Sequence, residues 1–312
     1  MDVLTEILDS IEFDTCLYFR TDLTSPWGIR VPKNKDVVRF HITLVGDFSI
    51  KVRGQKSGIK AKAGDIVFVT QGGEHDLYDS PKSRIRDFDE VIREAEYRHG
   101  ELLKYGSPRG RCTQMVCGHF SFEQNNLHPF LHSLPAVLHY KASENPEMSW
   151  LNQTLSFLDY ESQKKRPGDQ AVIRRLSEII FVQVLRSYLL KESGDTQFLG
   201  ALRDQYISRS IEAIHKDPSN KWTLASLAQA AGLSRSIFAD RFRVLTGLTP
   251  MEYVTNWRMD RAKRMLEDKT MSTAKIGEQV GYQADEAFQK VFKRTIGMTP
   301  SQYRKTLERK NG

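Results

Sequence analysis

The sequence predicts an α+β chain of two domains: a β-barrel carrying a helical hairpin, then an all-α domain with two helix-turn-helix units. Three observations lead there. Short β-branched and aromatic runs broken by glycine turns fill the stretch before residue 145. The apolar rhythm then changes to a helical period. Finally, one motif is written twice, as "GLSRSIFADRFRVLTGLTPMEY" from Gly232 and "GYQADEAFQKVFKRTIGMTPSQY" from Gly281. The expected division is 1–145, 146–200 for the hairpin and linker, and 201–312.

Taken in order, "VVRFHITLVGDFSIKVRG" reads as two strands turning at Gly46-Asp47, with a further turn at Gly54. "GIKAKAGDIVFVTQGGEHDLYD" adds a short strand, a turn at Ala63-Gly64-Asp65, a buried strand Ile66–Val69 and a strand opened by His75. Such spacing suggests an antiparallel barrel or sandwich. Residues 81–110 are charged and read as a mobile insertion or loop, after which "RCTQMVCGHFSFE" resumes the β domain. Trp150, Leu151, Leu155 and Leu158 then form one helical stripe, and Ile173, Leu176, Ile180, Val184 and Leu185 a second. A Pro-Gly turn joins the two helices into a hairpin. The second helix is apolar around most of its circumference and must pack on something large, either its own β domain or a partner subunit. Further on, Thr223 reads as an N-cap, Gly232 as a helix stop, and Thr249-Pro250 as a cap followed by a first-turn proline.

Composition narrows the function classes. With 312 residues, 39% apolar and 10% aromatic, the chain has material for two cores. No run approaches the ~18 apolar residues of a membrane span, so no membrane partner is expected. The acidic, amphipathic start "MDVLTEILDSIEFD" is no secretory signal, which points to the cytoplasm. Three cysteines are an odd number and too few for a disulfide framework. Residues 221–312 carry 17 lysines and arginines against 9 acids, whereas residues 1–220 carry 29 against 30. The net positive charge therefore belongs to the last third, as a polyanion-binding module requires.

The doubled motif has a physical reading. Ala228, Gly232 and Leu233 recur as Gly277, Gly281 and Tyr282 at an offset of 49. Phe238, Phe242, Gly247, Thr249-Pro250 and Tyr253 recur at an offset of 50, so the second turn holds one extra residue. A small residue suits a helix crossing, a glycine suits the turn, and phenylalanines at i and i+4 face inward together. The variable letters lie on the opposite face, the face a helix-turn-helix lays in the DNA major groove. A purely structural helical repeat is the alternative.

The last hundred residues resemble the AraC/XylS family of bacterial transcription regulators. "WTLASLAQAAGLSRSIFADRFRVLTGLTPMEYVTNWRMDRAKRML" and "IGEQVGYQADEAFQKVFKRTIGMTPSQYR" carry the resemblance, including Arg258-Met259 and Ala262 in the connecting helix. The resemblance implies two recognition helices docked in successive major-groove segments of double-stranded DNA. It also implies a transcription activator that works with RNA polymerase, and a homodimer formed through the hairpin. By position, Ser236, Ala239 and Asp240 face bases in the first copy, as do Asp285, Glu286, Gln289 and Lys290 in the second. Arg235, Arg241, Arg243, Lys293 and Arg294 are assigned to phosphates. Family members often place Arg or Gln where this chain has small and acidic groups.

"SPWGIRVP", "FHITLVGD", "AGDIVFV" and "VCGHFSFE" resemble the cupin barrel that precedes this module in many members, which implies a sensor for a small-molecule or oxidant effector. Enzymatic cupins hold a metal with two closely spaced histidines, a glutamate and a later histidine. Here Thr43 stands where a second histidine is expected after His41, no matching glutamate follows, and His75 is the later one. Two of four ligands disfavour an oxygenase or isomerase, and a non-enzyme is expected. Zinc or another divalent metal at His41 and His75 is the cofactor candidate, beside the reading of both as effector-pocket residues. Cys112 and Cys117, five apart on one strand, face opposite ways, while Cys16 comes from the first strand region. The three are the redox candidates, with Arg111 as the charge that would activate Cys112.

Overall fold

The computed structural model describes residues 5, 7–8, 15–34, 37–98, 100–121, 134–144, 150–163, 166–191 and 197–310, in two compact units. The first unit holds β1 (Thr15–Thr24), β2 (Gly28–Val31), β3 (Val37–Val45), β4 (Asp47–Val52), β5 (Ile59–Lys62), β6 (Ile66–Val69), β7 (His75–Tyr78), β8 (Arg86–Asp87), β9 (Leu102–Gly106), β10 (Cys112–Ser121) and β11 (Val137–Tyr140). Helices α1 (Phe88–Glu94), α2 (Trp150–Gln163) and α3 (Asp169–Lys191) complete it.

The strands form two open sheets, not one closed ring. One has the order β11-β6-β3-β10-β1-β9, the other β5-β4-β7-β2-β8. A barrel needs a ladder joining first strand to last, and among the described residues β11 and β9 remain edges. The arrangement is that of a double-sheet sandwich. Leu23, Ile29, Phe48, Ile50, Val67 and Leu77 make its filling, each at most 4% exposed. The outer face of the larger sheet is covered too: Phe181 of α3 meets the rings of Phe68 and Phe120 at 5.1 and 5.8 Å. Burial of that one side chain contributes about 1.5–3 kcal/mol. Covered on both faces, β3 has a nearly continuous apolar sequence.

Two expectations need correction. Residues 81–110 are not a loop: they supply β8, α1 and β9. Phe88, Val91 and Ile92 share a face of α1, and Val91 and Leu103 are 0% and 1% exposed. Their apolar stripe is diluted by the charged residues between them. Trp150 leaves the predicted stripe of α2; it is 37% exposed, while Leu151, Leu155 and Leu158 are buried. Adjacent residues lie about 100° apart around a helix, so Trp150 falls off the stripe that Leu151, Leu155 and Leu158 share. An ion pair from Arg20 to Asp159, 2.8 Å, ties β1 to α2.

The second unit is helical: α4 (Gln197–Arg203), α5 (Ile207–Lys216), α6 (Leu224–Ala231), α7 (Arg235–Thr246), α8 (Pro250–Leu266), α9 (Thr273–Gln279), α10 (Asp285–Ile296) and α11 (Pro300–Lys310). Asp204 separates α4 from α5; its Oδ1 accepts from the N–H groups of Tyr206 and Ile207. The two copies of the motif build matching cores. Phe238–Phe242 and Phe288–Phe292 lie 5.5 and 5.6 Å apart at 60° and 62°. Phe242–Tyr253 and Phe292–Tyr303 lie 5.6 and 5.9 Å apart at 70° and 67°.

The repeated Gly-x-Thr-Pro is a stop followed by a start. Gly247 and Gly297 close α7 and α10 at φ 74° and 86°. Thr249 forms a capping box with Glu252, and Thr299 exchanges the same bonds with Gln302. Gly281, at φ 91°, has a second reason to lack a side chain. A Cβ there would stand 2.8 Å from the Arg258 guanidinium, which reaches over from α8 to donate to the carbonyls of Pro218 and Asn220. Gly277 likewise lets α9 approach Phe288, where a Cβ would sit 3.0 Å from the ring and its stem.

Candidate nucleic-acid interface and effector cavity

Because Phe238 and Phe242 point inward, α7 turns Ser236, Asp240 and Arg243 outward, with Arg235 exposed in its first turn and Ala239 half-buried at the margin. On α10, Asp285, Glu286, Gln289, Lys290, Lys293 and Arg294 are all exposed. Arg241 differs from the reading above. It lies on the inner margin of α7, where its guanidinium bonds Asp204 and sits 5.6 Å from the Tyr206 ring. The residue pins the recognition helix to the start of α5, and its three-residue spacing from Phe238 is the signal for that.

The acidic letters of α10 acquire a local explanation. Its N-cap is Ala284, which has no side-chain acceptor for the orphan N–H groups of the first turn. Asp285 and Glu286 stand in that turn and oppose the positive end of the helix dipole. Asp285 also accepts from Gln289, 2.7 Å, so the two side chains are held as a pair. The cap position holds Ser234 in the first copy and Ala284 in the second, neither side chain bonds the first turn, and only the second copy places acids at the next two positions.

Two apolar side chains on the outer face of α7 escaped the sequence argument. Ile237 is 56% exposed and Val244 75% exposed. They flank Asp240 on the helix surface, seven residues apart. In the major groove, an apolar side chain matches the C5-methyl of thymine. Their outward placement could have been read from the inward phenylalanines, because seven residues are two helical turns.

In the first unit, His41, His75 and Cys117 come together inside the sandwich. His75 Nδ1 lies 2.8 Å from the Gly73 carbonyl and therefore carries the proton. Its Nε2 is bare and accepts from His41 Nε2–H at 2.9 Å. His41 Nδ1 is bare in turn and accepts from the Cys117 thiol at 3.2 Å. Every member is neutral. Burial first, then His75 and Arg39, holds His41 well below the ordinary imidazole range, and burial lowers His75 to about 4. Burial pushes the Cys117 thiol up. A metal at His41 and His75 would have to replace the bond between them, and the described residues contain no group of three or more His, Cys, Asp or Glu placed to hold one.

Cys112 is turned the other way. Its thiol donates to Asp22 Oδ1 at 3.0 Å, and burial together with that carboxylate raises it to about 11. Arg111 does not activate it, since its guanidinium is directed to Asp47 at 3.6 Å. Cys16 pairs with Phe120 in the β1–β10 ladder, and its side chain lies outside the described residues. Beside the histidines lies a cavity of about 330 Å³ walled by Phe19, Leu23, Val31, Phe88, Leu103 and Met115.

A double helix-turn-helix joined by one long helix, in a chain that also carries a β-sandwich with an internal cavity, defines the class of DNA-binding regulators. Comparison with known proteins agrees. Residues 2–190 match the cupin family and residues 227–306 match a helix-turn-helix domain. The chain is 29% identical over 306 residues to an AraC-like transcription regulator of Streptomyces lividans, covering 98% of each. It is 25% identical to the HTH-type transcriptional regulator AlkR of Acinetobacter baylyi, over 97% of this chain and 99% of that one. It is 31% identical over 196 residues to the RCS-specific HTH-type transcriptional activator RclR of Escherichia coli, covering 62% of this chain and 69% of that one. Among solved structures, the DNA-binding domain of AdpA in complex with a target DNA is 25% identical over 34% of this chain and 96% of its own, with a TM-score of 0.33. The chain belongs to the AraC-type transcription regulators with a cupin N-terminal domain, and it is a regulator, not an enzyme.

Proposed function

We propose that this regulator reads two adjoining stretches of duplex DNA through α7 and α10 and is controlled by an effector bound in its first unit. The observation carrying the DNA reading is the matched pair of cores beneath unmatched outer faces. Cores that agree within a few tenths of an ångström present two helices in equivalent ways, so the differences at Ser236/Glu286 and Asp240/Lys290 are differences in what is read. Arg243, Lys293 and Arg294 contact phosphates; Ser236, Asp240, Gln289 and Lys290 face base edges together with Ile237 and Val244. Selecting bound fragments from a genomic duplex pool tests the reading. A protein that retains no fragment above background at low salt does not do this.

The effector arm is supported by the buried cavity, and it favours a small molecule over an oxidant, because both described thiols are held protonated. Hypochlorite or peroxide that consumes Cys112 or Cys117 and shifts duplex affinity together would reverse that preference. Phe157 and Ile179, exposed at 47% and 48% on α2 and α3, support a homodimer through the hairpin. Sedimentation across a concentration series tests the dimer.

A further inference from the structure

The polar groups that reach the cavity of the first unit are one-sided in charge. Arg39 on β3 and His119 on β10 are cross-strand partners and project to the same face of the sheet, into the cavity. Arg39 donates through Nη2 to the Pro32 carbonyl at 2.9 Å, but its Nε–H is buried and without a partner. Among the described residues no carboxylate is ion-paired with Arg39. Asp89, the acid in the lining, is exposed on α1. A buried donor on a cation, left without an acceptor, costs more than the same group matched by an anionic oxygen. The closed chain Cys117–His41–His75 offers no free donor to a ligand, so the unmet groups of the lining are the cationic Nε–H of Arg39 and the neutral hydroxyl of Thr21, and of these two only Arg39 calls for an anion.

The rest of the lining limits what can bring the anion. Phe19, Leu23, Val31, Phe88, Leu103 and Met115 supply neither donors nor acceptors from their side chains. A sugar or nucleotide would bury more hydroxyls there than the two lining residues that carry one, Thr21 and Tyr97, can match. The register places Thr21 and Met115 four residues along the sheet from Arg39 and His119, about 13 Å away. The site is therefore long and largely apolar, cationic at one end and with the single Thr21 hydroxyl toward the other.

We infer that this cavity binds a monocarboxylate with an apolar tail, its carboxylate accepting from Arg39 and its tail lying along the apolar walls toward Met115. This rests on the reading that the first unit holds the effector, and it names the chemistry of that effector. His119 lies beside the head group and is kept below its ordinary value by burial and by Arg39, so it stands there as a neutral neighbour.

Calorimetry on the full chain with octanoate, octanol and octylamine tests the inference. Octanoate is expected to bind one per chain, with octanol and octylamine weaker by about tenfold or more, the strength of a charged hydrogen bond. Arg39→Met should weaken octanoate by about tenfold and leave octanol unchanged. Leu103→Trp, which fills the cavity from the β9 wall, should weaken both ligands. The inference is overturned if the intact chain ignores octanoate, if it binds octanol equally well, or if Leu103→Trp binds octanoate as the parent does. Circular dichroism shows whether Arg39→Met folds; if it does not, the head-group comparison on the intact chain and the Leu103→Trp result decide. Duplex affinity with and without octanoate separates this inference from the functional reading. Binding that leaves duplex affinity unchanged keeps the site and removes its regulatory role. Duplex binding that responds to other compounds while octanoate stays unbound does the opposite.

Discussion

The two helix-turn-helix copies and the β-sandwich treat polar groups in opposite ways. In the helical unit the residues that differ between copies are outside and the residues that repeat are inside, so folding and reading are carried by separate faces of one helix. In the sandwich the functional candidates are inside, where each polar group must find a partner within the core. His41, His75 and Cys117 do so completely, whereas Arg39 does not. The contrast teaches where to look for specificity in each unit: in exposed letters for the helices, and in an unmet hydrogen bond for the sandwich.

The largest expected effect attacks the claim that the two helical cores are equivalent. Phe238→Ala and Phe288→Ala should each cost about 3–5 kcal/mol, because both rings are fully buried beside a second phenylalanine and a tyrosine. Urea melts that differ by more than twofold between the two variants would break the equivalence. Next comes pH, which should act on the sandwich. His75 has its folded value lowered to about 4 from 6.5, so the unfolded chain binds the proton first. Its contribution to stability is complete above pH 6.5 and is lost as pH falls toward 4, by about 3 kcal/mol. Melts across that window should slope downward with falling pH, and His75→Gln should flatten the slope.

Smaller effects sharpen the account of the outer faces. Arg243→Glu and Lys293→Glu should each weaken duplex binding by about tenfold and lower the salt slope by about one charge or more. Arg241→Glu should instead cost folding stability, through its lost contacts with Asp204 and Tyr206, and a salt titration of DNA binding separates the two behaviours. At the small end, Thr249→Ala and Thr299→Ala should each cost about 1 kcal/mol, as expected for losing a capping box, and Ala284→Ser should recover a few tenths to about 1 kcal/mol. A destabilising effect of Ala284→Ser in thermal melts would mean the acids of the first turn already saturate that helix end.

The helical unit was the more legible of the two. Its periodic stripes, its caps and the paired phenylalanines are local signals, and each helix begins and ends close to where Thr223, Gly232 and Thr249-Pro250 place it. Arg241 carries two signals, a charge that suits phosphate and a three-residue spacing from Phe238 that places its guanidinium on Asp204. In the sandwich the strands were legible, while their division into two open sheets was not, because strand pairing joins residues far apart in sequence. Residues 81–110 were lost for another reason: Phe88, Val91 and Leu103 are sparse among charges, and only the sheet edge they cover makes them apolar anchors.

By itself the sequence determined the chain's two-part character, the duplicated reading module and the side chains each reading helix can offer. These follow from short-range rules of period, capping and charge, which act within a few residues. The tertiary structure alone decided that His41, His75 and Cys117 close into one neutral chain and that Arg39 is left with a donor to give. Those facts depend on β1, β3, β7 and β10 meeting around one cavity, and hydrogen-bond satisfaction is a property of the space between strands, not of the order of residues along them.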